Sequence, residues 1–258
     1  MLKSGGSLIP FFVVIIIAGI AYKVYRDAIK DINNRKAGSE LEDRVVCELR
    51  KQQRFYGGGI LQNMYLPTGR KVSHTEVDVV YVLRNMIFVF ECKNYNADIS
   101  LDPTNLMRFM ASYKSGKTFF FRSPILQNSG HIKNINNQLN RLPWSQNYEV
   151  YNIIVFSDKA DISNVKGDKI DKVINQTNFN TLGRAKRIEI IKPSEIPNII
   201  RYGINNNEFN LFDSKLSSKT KQLETNALEK LKGFTNVSLF KQIRHVLEIK
   251  FSGNYGGY

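Results

Sequence analysis

Residues 74–93, with the sequence HTEVDVVYVLRNMIFVFECK, decide the fold of this chain. Residues 74–83 alternate between polar and apolar types, which is typical of a strand with one buried face. Residues 86–93 are almost entirely apolar, which indicates a central strand that is buried on both faces. Arg84 and Asn85 alone separate the two segments, and a connection this short predicts a β-hairpin.

Three charged side chains are expected at the open end of this hairpin. A two-residue turn places Asp78 directly opposite Glu91, and Lys93 shares a face with Glu91 because it lies two residues further on. Strict alternation along the first strand also places Asp78 on the face opposite to that of Val77 and Val79. The sequence therefore predicts that Asp78, Glu91 and Lys93 converge.

Two facing carboxylates at a buried strand end repel each other, and one lysine does not neutralise both. A divalent cation does, and carboxylate oxygens are the ligands that Mg²⁺ takes, together with water and substrate phosphate. Such a site favours phosphodiester chemistry, in which Lys93 orients or helps to deprotonate a water molecule. The alternative is an ordinary ion pair between Lys93 and Glu91 or Asp78.

A helix is predicted before the hairpin, over residues 39–53, with one apolar face formed by Leu41, Val45, Val46 and Leu49. Glu42 lies at the edge of that face. Ser39 and Glu42 have the spacing of a capping box, in which the glutamate would bond the Ser39 amide. Glu42 is therefore either a helix cap or a further carboxylate of the site.

Residues 38 to about 157 resemble the NERD domain, a nuclease-related branch of the PD-(D/E)XK phosphodiesterase superfamily. The resemblance is carried by ordered blocks: GSELEDRV at 38–45, TEVD at 75–78, IFVFECKN at 87–94, SPILQ at 123–127 followed by His131, and YNIIVF at 151–156. Three positions depart from the family pattern. Leu41 replaces a glycine, Glu76 replaces a glutamine, and Met86 replaces the hairpin glycine, which puts the simple hairpin register in doubt.

The resemblance implies an α/β fold of the restriction-endonuclease type, with a mixed central sheet flanked by helices. It implies catalytic positions at Asp78, Glu91 and Lys93, with Glu42 as an additional one. Asp78, Glu91 and Glu42 would be the ligands of Mg²⁺ or Mn²⁺, and the substrate would be DNA or RNA.

Four further residues are candidates for contacting the substrate. Gln127 and His131 lie four apart on one face of a helix predicted over residues 124–142, and the family match suggests contact with substrate or water. The alternative is a structural histidine. Lys114 and Arg122 flank an apolar strand predicted at residues 118–121 and are suited to gripping phosphates, unless they belong to a solvated basic loop.

A membrane anchor is predicted at the N-terminus, because residues 8–22 form the uncharged run LIPFFVVIIIAGIAY. Residues 24 and 25 lengthen it toward the roughly 30 Å of a bilayer core if Lys23 reaches the interface. Basic residues concentrate after the run, so the positive-inside rule places the following domain in the cytoplasm, with the protein in the cell membrane as a single-pass protein. The alternative is a cleaved signal peptide.

The predicted organisation is an anchor at residues 1–25, a basic stalk at 26–37, a nuclease-like core at 38–157, the remainder of the α/β domain at 158–203, and a C-terminal helical element at 204–258. The net charge of +14 favours polyanionic partners such as nucleic acid. Two isolated cysteines make no disulfide framework, and three scattered histidines do not suggest zinc. Two other functions remain open: a non-catalytic, membrane-tethered nucleic-acid-binding module, and a scaffold whose stalk binds anionic lipid.

Overall fold

A computed structural model describes residues 22–23, 25–26, 38–68, 74–102, 105, 107–140, 142, 147–167, 169–171, 174, 183–207 and 214–235. The predicted transmembrane segment, residues 8–25, and the predicted stalk lie outside the described residues, apart from the four between 22 and 26. None of the helices in the described part of the chain combines the length and the apolar character that crossing a bilayer requires.

Helices and strands alternate irregularly along the described residues. The helices are α1 (residues 38–56), α2 (Pro124–Leu139), α3 (Ile196–Asn205) and α4 (Ser214–Lys232). The strands are β1 (Gly59–Pro67), β2 (His74–Leu83), β3 (Met86–Lys93), β4 (Asp98–Leu101), β5 (Arg108–Ser112), β6 (Thr118–Arg122), β7 (Glu149–Phe156) and β8 (Arg187–Ile191).

The larger sheet has the strand order β1-β2-β3-β7-β8. The first three strands pair antiparallel, and β3, β7 and β8 pair parallel, so this is a mixed sheet. Leu83 pairs with Met86, which confirms the two-residue turn at Arg84 and Asn85 despite the missing glycine. Strand β3 is the central strand, and its first six residues are fully buried, as the apolar run predicted.

Helices cover both faces of the larger sheet, as expected for the predicted fold class. Apolar residues of α1 and α3 pack on one face, and those of α2 and α4 pack on the other. The prediction that Val77 and Val79 share a face is wrong, because Val79 packs under α1 whereas Val77 packs on the α2 side. The alternation shifts where Asn63 of β1, with φ of 49°, and Asp78 of β2 drop out of the pairing.

A second sheet of three antiparallel strands, in the order β4-β5-β6, follows the hairpin in sequence. Only β6 was predicted. One face of this sheet is buried through Ile99, Phe109 and Ala111, which join an apolar cluster with residues of α2 and β7. Tyr95, two residues after the end of β3, stacks on Phe121 with ring centroids 4.7 Å apart. The small sheet is thus packed next to the open end of the β2–β3 hairpin.

Candidate functional site

Asp78 occupies the point where β2 separates from β3. Backbone pairing between these strands ends at Val79 and Phe90. Beyond that point, the Cys92 amide donates a hydrogen bond to Asp78 Oδ2 over 2.8 Å, so a side chain replaces the next backbone partner. Asp78 is therefore held beside the last residues of β3, although it does not pair with Glu91 through the backbone as the hairpin register predicted.

Glu91 is the most deeply buried charged group of the site, with 1% of its surface exposed. Lys93 Nζ lies 2.6 Å from Glu91 Oε1. His131 Nε2 lies 3.2 Å from the other oxygen, Oε2, but the contact is not aligned as a hydrogen bond, and both atoms are buried without a hydrogen-bond partner. A buried carboxylate oxygen without an aligned donor is costly unless another group completes its contacts.

Helix α2 supplies two side chains to this site. Gln127 Oε1 accepts a hydrogen bond from Lys93 Nζ over 3.0 Å, and His131, one turn later, faces Glu91. Thr75 Oγ1 lies 2.9 Å from His131 Nδ1 and orients the ring from the side away from Glu91. The structure thus joins Thr75, His131, Glu91, Lys93 and Gln127 in one chain of polar contacts.

Two buried asparagines set the position of α2 above the sheet. Asn128 donates to the Val89 carbonyl and to Asn152 Oδ1, each over 2.8 Å. Asn152 in turn donates to the Ile125 carbonyl and to Ser129 Oγ, over 3.2 and 3.0 Å. These bonds tie α2 to β3 and β7, although Asn128 Oδ1 itself is buried without a hydrogen-bond partner. They fix the height and rotation of the helix whose next turn presents His131 to Glu91.

Sequence reasoning missed this support, although one signal was visible. Asn152 interrupts the apolar strand EVYNIIVF at residues 149–156, and a polar residue in such a run needs a buried partner. Thr75 was noted only as part of a motif. The role of the Cys92 amide carried no sequence signal, because every residue except proline has such a donor.

Glu42 projects from α1 and is half-buried. Burial raises the pKa of its carboxyl group, and the nearby carboxylates of Glu76, Asp43 and Glu91 raise it further. The capping-box alternative does not hold, because the helix already includes residue 38, so Ser39 lies within it rather than at its cap. Glu42 is therefore a further acidic group in the electrostatic field of the site.

The two central carboxyl groups have opposite electrostatic settings. Burial raises the pKa of Asp78 well above its ordinary value, and the negative charge of Glu91 adds to that rise. Burial would also raise the pKa of Glu91, but His131 and Lys93 outweigh it and lower that pKa. The surroundings therefore favour the charged form of Glu91 and disfavour the charged form of Asp78.

The residues present fit a hard cation, because Glu91 Oε2 is buried without a hydrogen-bond partner and Asp78 supplies a second carboxyl group close to it. Within the described residues, no group of three histidine, cysteine or acidic side chains is arranged closely enough to hold a metal by itself. Mg²⁺ is commonly bound through only one or two carboxylates, with water and substrate phosphate completing its shell. Asp78 and Glu91 would supply two such carboxylates.

The structure does not bring Lys114 and Arg122 to this group of side chains. Lys114 lies in the turn between β5 and β6, Arg122 ends β6, and both are exposed. Among the contacts of the described residues, none joins either of them to Asp78, Glu91 or Lys93.

Comparisons with curated proteins and with solved structures gave no match. A comparison with family models gave one result, and it covers α1, the β2–β3 hairpin, the small sheet, α2 and β7. Residues 37–157 of this chain match the model of NERD, described as a nuclease-related domain.

Proposed function

We propose that this protein is a divalent-metal-dependent nuclease, which hydrolyses phosphodiester bonds in DNA or RNA. The match to a nuclease-related domain supports the reaction class. The observation that carries the proposal is that Asp78 and Glu91 lie close together at a strand end where Glu91 Oε2 is buried without a hydrogen-bond partner. Such a pair is unfavourable unless something positive binds between its members.

Mg²⁺ or Mn²⁺ would be held by Asp78 and Glu91, with Glu42 contributing through its charge or through water. When bound, the cation supplies Lewis-acid polarisation of the phosphate and lowers the pKa of water. Lys93 is held between Glu91 and Gln127, which fixes its ammonium group where negative charge develops on the phosphate. Glu91 in turn is held in place by Lys93 on one oxygen and by His131 near the other.

The proposal includes attachment to the cell membrane through residues 8–25, with the domain on the cytoplasmic side. Its support is the uncharged run at residues 8–22 and the basic residues that follow it. The full chain should remain in the membrane pellet after alkaline carbonate extraction. Loss of a C-terminal epitope when intact spheroplasts are treated with protease would contradict the cytoplasmic orientation.

The test of activity uses the purified full chain and labelled single-stranded and double-stranded DNA and RNA, with Mg²⁺, with Mn²⁺ and with EDTA. We expect metal-dependent cleavage of at least one substrate. Asp78→Ala and Lys93→Ala should abolish it, whereas Lys51→Ala, on the exposed surface of α1, should cleave at the wild-type rate.

Two outcomes would reject the catalytic proposal. Cleavage that persists at the wild-type rate in both site variants would mean that these side chains do not perform the chemistry. Nucleic-acid binding that is unaffected by metal and by Asp78→Asn, without cleavage of any substrate, would instead establish the binding-module alternative.

A further inference from the structure

Within the part of the chain that the structure describes, the small sheet has one face that belongs to none of the buried apolar clusters. Side chains alternate along β5 and β6, and Phe109, Ala111 and Phe121 point inward, where they join an apolar cluster. The intervening residues form the opposite face, which we call the outer face. Its members on these two strands are Arg108, Met110, Ser112, Thr118, Phe120 and Arg122.

An aromatic ring lies between basic groups on this outer face. Phe120 has 42% of its surface exposed, and the Arg108 guanidinium lies over its ring, 4.9 Å from the centroid. Arg122 pairs with Arg108 across the two strands, so the two guanidinium-bearing residues are neighbours at one end of the face. Lys114 and Lys117 are exposed in the turn at the other end.

The charge of the surface is mainly positive. The acidic residue next to Arg108 is Asp102, which is buried and lies 3.8 Å from the guanidinium. Asp98 is exposed on β4, the strand farthest from Phe120. Two arginines flank the exposed ring, and two lysines lie beyond it, which makes the face complementary to a polyanion.

We propose that this outer face binds single-stranded nucleic acid, with one base stacked on Phe120 and the adjacent phosphates held by Arg108 and Arg122. This inference rests on the proposed function and names the substrate form that the same protein would select. An aromatic ring flanked by basic groups suits a single strand, because unpaired bases expose the flat faces that stack on aromatic side chains. In a duplex, the neighbouring base pairs cover those faces.

The chain connects this surface directly to the candidate site. Arg122 ends β6, Ser123 follows, and α2 begins at Pro124 and presents Gln127 to Lys93. On the inner face, Tyr95 follows closely after Lys93 and stacks on Phe121. The outer face is therefore close to the candidate site along the chain, through the residues between Arg122 and Gln127.

Binding is measured on the full chain in EDTA, by fluorescence anisotropy of a labelled oligothymidine, so that turnover plays no part. Phe120→Ala should weaken binding by about tenfold, which is the scale of one lost stacked base. Phe119→Ala is the matched control, because Phe119 is 54% exposed but lies on the inner side, stacked parallel to Phe121. It should bind as the wild type does.

Two further variants separate binding from folding. Phe120→Trp keeps an aromatic face and should restore binding to at least the wild-type level, and Arg122→Gln should weaken binding while circular dichroism stays unchanged. The inference is overturned if Phe120→Ala and Phe119→Ala bind alike, if a duplex of the same length binds more tightly than the single strand, or if Phe120→Ala loses affinity for anionic vesicles but not for the oligonucleotide.

Hydrolysis of bis(p-nitrophenyl) phosphate keeps this inference distinct from the catalytic proposal, because so small a diester has no nucleobase to stack on Phe120. Phe120→Ala should retain this activity and lose cleavage of the oligonucleotide. Metal-dependent hydrolysis with unaltered binding in Phe120→Ala would reject the binding surface alone. Binding that depends on Phe120, without hydrolysis of any substrate, would reject the catalysis alone.

Discussion

The two ends of the β2–β3 hairpin are built from the same two strands, but they differ in how completely their buried polar groups are hydrogen-bonded. At the turn, Asn85 is buried and makes three hydrogen bonds. Its side-chain Nδ2 donates to the Asn147 carbonyl, and its Oδ1 accepts from Asn207 Nδ2. Its backbone carbonyl accepts from the Glu149 backbone amide. Glu224 of α4 accepts a hydrogen bond from the Arg84 amide over 2.6 Å. This end of the hairpin is organised for stability.

At the open end, buried polar groups are left without complete partners. Glu91 Oε2 and His131 Nε2 lie 3.2 Å apart without an aligned hydrogen bond, and Asp78 is held next to another carboxylate. Natural proteins keep such arrangements mainly where a ligand completes them. The comparison teaches that one hairpin separates its stabilising role from its chemical role by placing them at opposite ends, and four substitutions test that separation.

The largest expected effect is on the activity of Glu91→Gln. The substitution removes the negative charge that faces Lys93 and His131 and replaces a potential metal-ligand oxygen with an amide. We expect the cleavage rate to fall by at least about a hundredfold, which is typical when a residue of the reacting group is lost. Initial rates at saturating metal measure this loss, and near-wild-type rates would mean that the open end has no chemical role.

The largest effect on stability is expected at the turn, from Asn85→Ala. Two side-chain hydrogen bonds disappear and their buried partners lose a polar contact, so the free energy of unfolding should fall by about 2 kcal/mol. The rate of cleavage per folded molecule should stay unchanged. Thermal or denaturant unfolding of the full chain measures the loss.

Asn96→Ala is the control for that experiment, because Asn96 is exposed and close in sequence to the open end. Its effect should be below about 0.5 kcal/mol. An equal loss in both variants would show that the buried hydrogen bonds at the turn contribute no more to the free energy of unfolding than an exposed side chain does.

Asp78→Asn is expected to stabilise the metal-free protein against unfolding and to abolish metal binding at the site. Because burial and Glu91 raise the pKa of Asp78 in the folded state, the ionised carboxylate costs folding free energy at neutral pH. Asparagine keeps an oxygen for the Cys92 amide without the charge, so the free energy of unfolding should rise. Added Mn²⁺ should then stabilise the wild type and not the variant.

The pH dependence of that gain has a definite sign. The folded state holds the Asp78 proton more tightly than the unfolded state, so the penalty grows as pH rises from the ordinary pKa of about 4 through the raised value. The advantage of Asp78→Asn should therefore be largest at neutral pH and shrink toward pH of about 4. An advantage that increased on acidification would contradict the assignment.

The contrast between the two ends also explains how much the sequence could predict. The bounds of β3 follow from its largely apolar run, and the two-residue turn sets the pairing of Leu83 with Met86. That register also predicted that Asp78 lies near Glu91 and Lys93, although a hydrogen bond from the Cys92 amide, and not a backbone pair with Glu91, holds Asp78 there. The part that was predictable is the part governed by local periodicity and a short connection.

The remaining features depend on contacts that local patterns do not encode. Strands β4 and β5 have four and five residues, too few to establish an alternating pattern by themselves. The shift that separates Val77 from Val79 arises beside Asn63, whose left-handed backbone lies in another strand. His131 came to the site only through the family resemblance, since its contact with Glu91 spans a separation that no periodicity reports.

The smallest effect is expected from Glu224→Gln, which repeats at the turn the chemical change made in Glu91→Gln. The amide oxygen can still accept the Arg84 hydrogen bond, so only the extra strength of a charged acceptor is lost, about 1 kcal/mol or less of the free energy of unfolding. Cleavage should continue at the wild-type rate because Glu224 stabilises the end of the hairpin that holds no reacting group. If the cleavage rate fell as far in this variant as in Glu91→Gln, the two ends would be coupled through the strands. The stabilising and chemical roles would then not be separated between the two ends of the hairpin.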